Sequence, residues 1–165
     1  MADFTRRYEI LIDAPVHEVF EYCRDPRHLF EGWPGLKVTE VVAAPPEGGV
    51  GTKFHVEATF AKVIVEQVDR EFTEFVPDER IVSSKAHVQI RFAGRTKEEP
   101  DGPIITWLFE PENGGTKLTF VILEEHLSRW QYFGESVLAA GFEKTMRHVL
   151  AAIKDGVESR VRPVV

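Results

Sequence analysis

Residues 127–160 read LSRWQYFGESVLAAGFEKTMRHVLAAIKDGVESR, and the chain before them reads differently. In this stretch Phe133, Val137, Leu138, Gly141, Phe142, Thr145, Met146, Val149 and Ile153 recur in steps of three and four. That spacing marks one face of a long amphipathic helix. Ser128 is a suitable N-cap, and Arg162-Pro163 ends any helix behind it.

Upstream the period is two. FTRRYEILI, residues 4–12, sets Phe4, Tyr8, Ile10 and Ile12 on one face and Arg7 and Glu9 on the other. GTKFHVEATF, residues 51–60, sets Phe54, Val56, Ala58 and Phe60 against Lys53, His55, Glu57 and Thr59. Further strands are expected over 36–43, 62–75, 80–88, 104–110 and 116–124. Turns are expected at Pro45-Pro46-Glu47-Gly48-Gly49, Pro77-Asp78-Glu79 and Glu112-Asn113-Gly114-Gly115. Gly94, Pro100, Asp101, Gly102 and Pro103 make residues 94–103 read as a loop.

After the first strand, Pro15 sits well in the first turn of a helix over 15–24, with Asp13 or Ala14 at the cap. Asp25-Pro26 stops it, and a short helix or turn carries Leu29, Phe30 and Trp33. Strands joined by tight turns pair antiparallel, and a sheet of this size curls. Only the terminal helix is large enough to cover its inner face. The chain is therefore expected to be α+β: a curved antiparallel sheet of six to seven strands around a long C-terminal helix, with two short helices after strand 1. No repeat or low-complexity segment breaks it, so one domain over 1–165 is expected.

The net charge of -7 argues against nucleic acid, which needs a basic face, and against docking on anionic lipid through a polybasic patch. Arg6-Arg7 is too short to be one. Cys23 is the sole cysteine, which excludes an intramolecular disulfide and a cysteine-based metal site. No apolar run approaches the ~20 residues that span a bilayer, and no apolar segment of signal type follows Met1. A cytoplasmic protein without membrane insertion is expected.

Several short patterns occur together. Asp13-Ala14-Pro15-x-x-x-Val19-Phe20 follows the first strand and precedes Asp25-Pro26. Gly49-Val50-Gly51-Thr52 opens another strand. Trp107-x-x-Glu110-Pro111 leads to Gly114-Gly115-Thr116-Lys117-Leu118. From about residue 4 to 158 the chain resembles the START / Bet v 1-like (SRPBCC) superfamily, and most of all its polyketide cyclase/dehydrase-like branch. The resemblance implies a helix-grip fold with a cavity between sheet and helix and the two short helices at its mouth. It also implies a ligand-binding lining from Phe54, Val56, Ala58, Trp107, Phe109, Phe142 and Met146, with Phe30 and Trp33 near the entrance. Members of the superfamily include lipid carriers, hormone receptors, aromatase/cyclases and proteins that bind other proteins, so fold alone does not choose among them.

The residues themselves offer few chemical constellations. His17, His28, His55, His87, His126 and His148 never share the i, i+4 spacing of a helical zinc motif. Glu124-Glu125-His126 alternate across a strand, so they cannot all face one ion. No metal or organic cofactor is expected. There is no Gly-x-Ser-x-Gly, and Cys23 falls at a helix C-terminal end, where the dipole disfavours a thiolate. Gly48-Gly49-Val50-Gly51 lies between strands, with no helix N-terminus to hold a phosphate.

Acid-base groups in the pocket remain. His87 and Arg91, with Lys85, share one strand parity and are the candidate catalytic pair if that face turns inward. Val82, Ser84, Ala86, Val88 and Ile90 make the other face the more apolar one, which favours an outward His87 and Arg91; a bulge would reverse this. Glu66 shares a face with Ile64 and Val68, and Gln67 and Asp69 share one with Val63 and Val65; simple surface alternation is the expectation for these carboxylates. His148 reads as a boundary residue of the helix. Trp130, Tyr132 and Phe133 pack on the mouth or, if exposed, pair two copies in a homodimer.

Three functions fit such a pocket: a binder of a hydrophobic or aromatic small molecule with cyclase/dehydrase-like chemistry, a lipid or hydrophobic-ligand carrier without catalysis, and a protein-interaction module of co-chaperone type.

Overall fold

The computed structural model describes residues 2–46, 48–60, 63–99, 103–127 and 139–161. Among these residues eight strands and three helices follow in the order β1 (Ala2–Ile12), α1 (Val16–Cys23), α2 (Pro26–Phe30), β2 (Leu36–Ala43), β3 (Lys53–Phe60), β4 (Ile64–Val76), β5 (Arg80–Phe92), β6 (Arg95–Glu99), β7 (Ile104–Glu112), β8 (Gly115–Leu127) and α3 (Ala139–Val161). Every strand pair is antiparallel, and the sheet runs β1-β8-β7-β5-β4-β3-β2, with β6 paired to β5. Among the described residues no helix is long and apolar enough to cross a membrane.

Local chemistry sets the boundaries. Asp25 ends α1 and caps α2, its carboxylate accepting from the Arg27 N–H at 3.0 Å with Pro26 in the first turn. Pro15, rather than Asp13 or Ala14, holds the N-cap position of α1, with no side-chain cap bond. Asn113 and Gly114 take φ of 49° and 82°, the left-handed pair that closes a two-residue hairpin between β7 and β8.

One expectation is corrected. Residues 95–99 form β6, not loop, and β5 runs on to Phe92. Ala93-Gly94, with φ of 49° and 75°, is the hairpin turn between them. RTKEE carries no apolar alternation because Arg95–Glu98 are exposed on both faces. Among the described residues the sheet therefore has eight strands where six to seven were expected. The long helix is described from Ala139; Ser128, Trp130, Tyr132, Phe133, Val137 and Leu138 lie outside the described residues.

Helix α3 lays Met146, Val149, Leu150, Ile153 and Val157 on the sheet, all buried. They meet Ile12, Phe20, Cys23, Trp107, Leu118 and Phe120 in one core. Burial pushes the Cys23 thiol pKa up, so it is an inert packing group. Glu158 fastens the helix to the end of β1: its Oε1 accepts from the Asp13 N–H at 2.9 Å and from Lys154 Nζ at 2.5 Å, while Lys154 also donates to the Leu11 carbonyl at 2.9 Å. His148 is exposed on the helix's outer side.

Candidate functional site

Between the concave sheet face, the start of α3 and the α2–β2 connection lies a half-open cavity of about 500 Å³. Phe30, Trp33, Pro34 and Leu36 form one wall; Val56 and Ala58 of β3, Val68 of β4, Ile105 and Ile122 form the opposite one, and Phe142 and Thr145 of α3 close a third side. The ring centroids of Trp33 and Phe142 stand 6.0 Å apart at 68°, and those of Trp33 and Phe30 6.1 Å apart. An aromatic shelf results, suited to edge and offset contact with a flat ligand.

Gly32 sets this shelf. A Cβ there would stand 2.5 Å from Ala152 Cβ and 2.9 Å from the His148 carbonyl oxygen, so the connection lies directly on α3. Gly32→Val is expected to lift Trp33 from its neighbours and destabilise the fold by about 1–3 kcal/mol. A changed tryptophan emission maximum together with a lower urea midpoint checks this.

Four charged side chains line the same cavity: Arg6, Glu66, Arg70 and Glu124. Arg70 is 4% exposed. Its Nε donates to Ser83 Oγ at 2.9 Å, and its Nη2 to the carbonyls of Ser83 and Pro103 at 3.0 and 3.2 Å. Nη1 makes no hydrogen bond to a described residue, which leaves one corner of the fixed fork for an acceptor in the cavity. Burial lowers the Arg70 pKa to about 9, against the opposing pull of Glu66, so the group is charged at neutral pH. The buried Arg6 guanidinium lies 4.7 Å from the Phe142 ring centroid, a cation–π contact across the cavity.

The two strands β4 and β5 settle the facing that their sequence left open. On β4, Glu66, Val68, Arg70 and Phe72 point inward, and Asp69 points out to His55, whose Nδ1 lies 2.7 Å from Asp69 Oδ1. Surface alternation was expected for Glu66; instead its face is the cavity wall. On β5 the register slips by one residue between the pairs Asp69–His87 and Arg70–Lys85. Ile81 and Ser83 are buried before this bulge and Val88 after it, so the inward parity changes. His87 and Arg91 are thereby held on the outer face. His87 is 48% exposed with its Nε2 4.0 Å from Glu98 Oε1, and Arg91 is exposed. Neither reaches the cavity.

Of the expected lining, Phe30, Trp33, Val56, Ala58 and Phe142 line the cavity. Phe54, Trp107, Phe109 and Met146 stand one layer behind, fully packed. Phe54 meets Phe30 and Phe72 at 5.8 and 5.3 Å, and Phe109 meets Phe20 at 5.2 Å. The α1–α2 segment fills the end of the sheet where these residues lie, so the cavity is confined to the other end. Among the described residues no three His, Cys, Asp or Glu side chains converge to hold a metal ion.

Arg6 and Arg70 were absent from the sequence candidates, and Glu124 was weighed there only as a metal ligand beside Glu125 and His126. Arg6 had a readable signal: it is a charge on the apolar face of Phe4, Tyr8, Ile10 and Ile12. Arg70 shares parity with Val68 and Phe72, but on a strand whose facing was open.

Known proteins share this architecture. The protein TTHA0849 from Thermus thermophilus superposes with a TM-score of 0.66 at 20% identity, covering 96% of this chain and 99% of that one. The Zhui aromatase/cyclase from Streptomyces sp. R1128 gives 0.67 at 15% identity, covering 98% and 97%. Ara h 8.0201 gives 0.61 at 15%, covering 96% and 99%. At these identities the likeness is one of fold. No curated protein matches the sequence. Residues 1–158 match the family profile described as polyketide cyclase / dehydrase and lipid transport. The chain thus combines a helix-grip fold with that sequence signature along nearly its whole length, and it belongs to the polyketide cyclase/dehydrase and lipid transport family.

Proposed function

We infer that the protein binds an apolar, partly aromatic small molecule in this cavity and directs an oxygen acceptor of that molecule toward Arg70. The observation that carries this is a buried, three-times-anchored guanidinium set in the wall of an otherwise largely apolar cavity of about 500 Å³. Small-molecule sites share that composition, with roughly 300–1,000 Å³ of space and a few fixed polar groups. Native mass spectrometry of protein purified from its own host, followed by extraction, tests it. A co-purifying apolar ketone, phenol or carboxylic acid is the expected result. Protein that carries nothing and binds no fluorescent apolar probe would count against it and favour a protein-interaction role.

Turnover is favoured over passive carriage by one further observation: Glu66 and Glu124 line the same cavity as Arg70 and Arg6. A guanidinium steadies a developing enolate, and a carboxylate moves the proton. That pairing suits cyclisation or dehydration of a ketone-bearing substrate, and one structural neighbour is an aromatase/cyclase. In Glu66→Gln, proton exchange beside a bound ketone, followed by NMR in deuterated water, is expected to fall at least tenfold while affinity changes little. Unchanged exchange would leave a carrier without catalysis.

A further inference from the structure

The outer face of the sheet changes character from one strand group to the next. On β3 it carries Lys53, His55, Glu57 and Thr59, the polar set that a water-facing surface takes. On β7 and β8 it carries Ile104, Thr106, Leu108, Val121 and Leu123, joined by Val82 of β5. All six are half-buried. Between them along β7, Ile105, Trp107 and Phe109 are buried on the inner face. The run IITWLF is thus nearly all apolar on both sides, the pattern of a strand that is covered on both.

In the rows of Thr106 and Leu108, and in the next row, the flanking charges balance. Glu74 and Arg80 pair at 2.5 Å on the β4–β5 side, and Glu110 and Lys117 pair at 3.0 Å beyond Leu108. On the β1 side Arg7 stands beside Val121 and Glu9 beside Thr119, both exposed. Neither makes a hydrogen bond or ion pair to a described residue. Three cations and three anions sum to zero here, in a chain of net charge -7. Two copies repel each other through most of their surface and least through this face.

We propose that this face pairs two copies of the chain as a two-fold dimer. An axis crossing the strands between the Thr106 and Leu108 rows sets each Thr106 over Leu108 of the second copy. The same axis sets each Arg7 over Glu9 of the second copy, so two ion pairs close from one self-complementary pattern. The face is convex, and the copies touch closest along β7 and β8, where the side chains are short and apolar. At β1, where the two sheets diverge, the longer Arg7 and Glu9 side chains span the gap. Five strands about 4.8 Å apart and four rows about 6.8 Å apart make a patch of roughly 20 by 20 Å. That is the small end of specific interfaces, so a reversible dimer is expected. The cavity lies on the other side of the sheet, so the contact does not rest on the cavity-ligand function.

Sedimentation velocity of the full chain, from about 5 to about 500 µM, tests the dimer. The sedimentation coefficient of wild type is expected to rise with concentration from monomer to dimer. Leu108→Lys and, separately, Arg7→Glu are expected to weaken association by roughly tenfold or more. The first sets a charge without a partner at the centre of the contact; the second brings like charges face to face twice. Arg7→Glu combined with Glu9→Arg restores opposite charges across the axis and should recover most of the wild-type association. Arg7 and Glu9 are exposed, so the thermal midpoints of these two charge variants, taken at the dilute end, should match that of wild type. A wild type that stays monomeric at the highest concentration overturns the proposal. So does a dimer that both single variants leave intact, or a double variant that associates no better than Arg7→Glu.

Discussion

Trp107→Ala is expected to lower the free energy of unfolding by about 3–5 kcal/mol and the thermal midpoint by roughly 10 °C. The indole is fully buried, edge-on to Phe30 at 5.8 Å and to Phe120 at 5.9 Å. It supports the cavity floor from behind without lining it. Truncation therefore removes the hydrophobic transfer energy of a large ring and leaves a hole that its rigid strand neighbours cannot close. The indole N–H has no hydrogen-bond partner among the described residues, so part of the ring's value is already offset by an unmet donor. Trp107→Phe discards that donor and keeps most of the volume, and its cost should stay below about 1.5 kcal/mol. Urea denaturation of both variants checks the pair. If Trp107 acted as a ligand contact, alanine would shift probe affinity strongly and stability little, the reverse of this expectation.

Trp107 also illustrates which parts of the molecule were legible beforehand. Period-two stretches such as Lys53–Phe60 and the step of three and four along α3 fix element type, because one buried face must recur at the element's own repeat. Turn chemistry at Asn113-Gly114 fixes hairpin connectivity, and together these allow little but a curled sheet over a helix. An inward position does not say whether the space before it is empty. Trp107 and Phe54 point inward as surely as Val56 and Ala58, yet α1 and α2 cover the first pair and leave the second open. Charged residues were harder still. The bulge beside Lys85 is one extra residue with no composition of its own, and it decides that His87 and Arg91 face water. β6 was hidden because an edge strand whose residues 95–98 are exposed on both faces needs no alternation.

Arg70→Met is expected to weaken binding of a cavity ligand that bears a carbonyl or carboxylate oxygen by roughly 10- to 100-fold, and of its hydrocarbon counterpart by less than about threefold. A hydrogen bond to a charged group contributes about 1.5–3 kcal/mol, and each 1.4 kcal/mol is about a factor of ten. Nη1 is the corner available for such a bond, held in place by the three bonds that Nε and Nη2 make to Ser83 and Pro103. Methionine fills similar volume, so the aromatic shelf of Phe30, Trp33 and Phe142 should persist. Stability shifts for two opposed reasons. Removing a desolvated charge is favourable, while Ser83 Oγ and the two carbonyls lose their donor. The net loss should be about 1–2 kcal/mol, small enough to leave the folded protein available for titration. Arg70→Lys separates charge from geometry: an ammonium keeps the charge but cannot span three wall acceptors and a ligand as a planar fork does. Recovery of only part of the lost affinity in the lysine variant would show that the fork's direction, and not the charge alone, selects the ligand. Equal weakening of both probes by methionine would instead mean that Arg70 shapes the wall and that specificity lies with Arg6, Glu66 or Glu124.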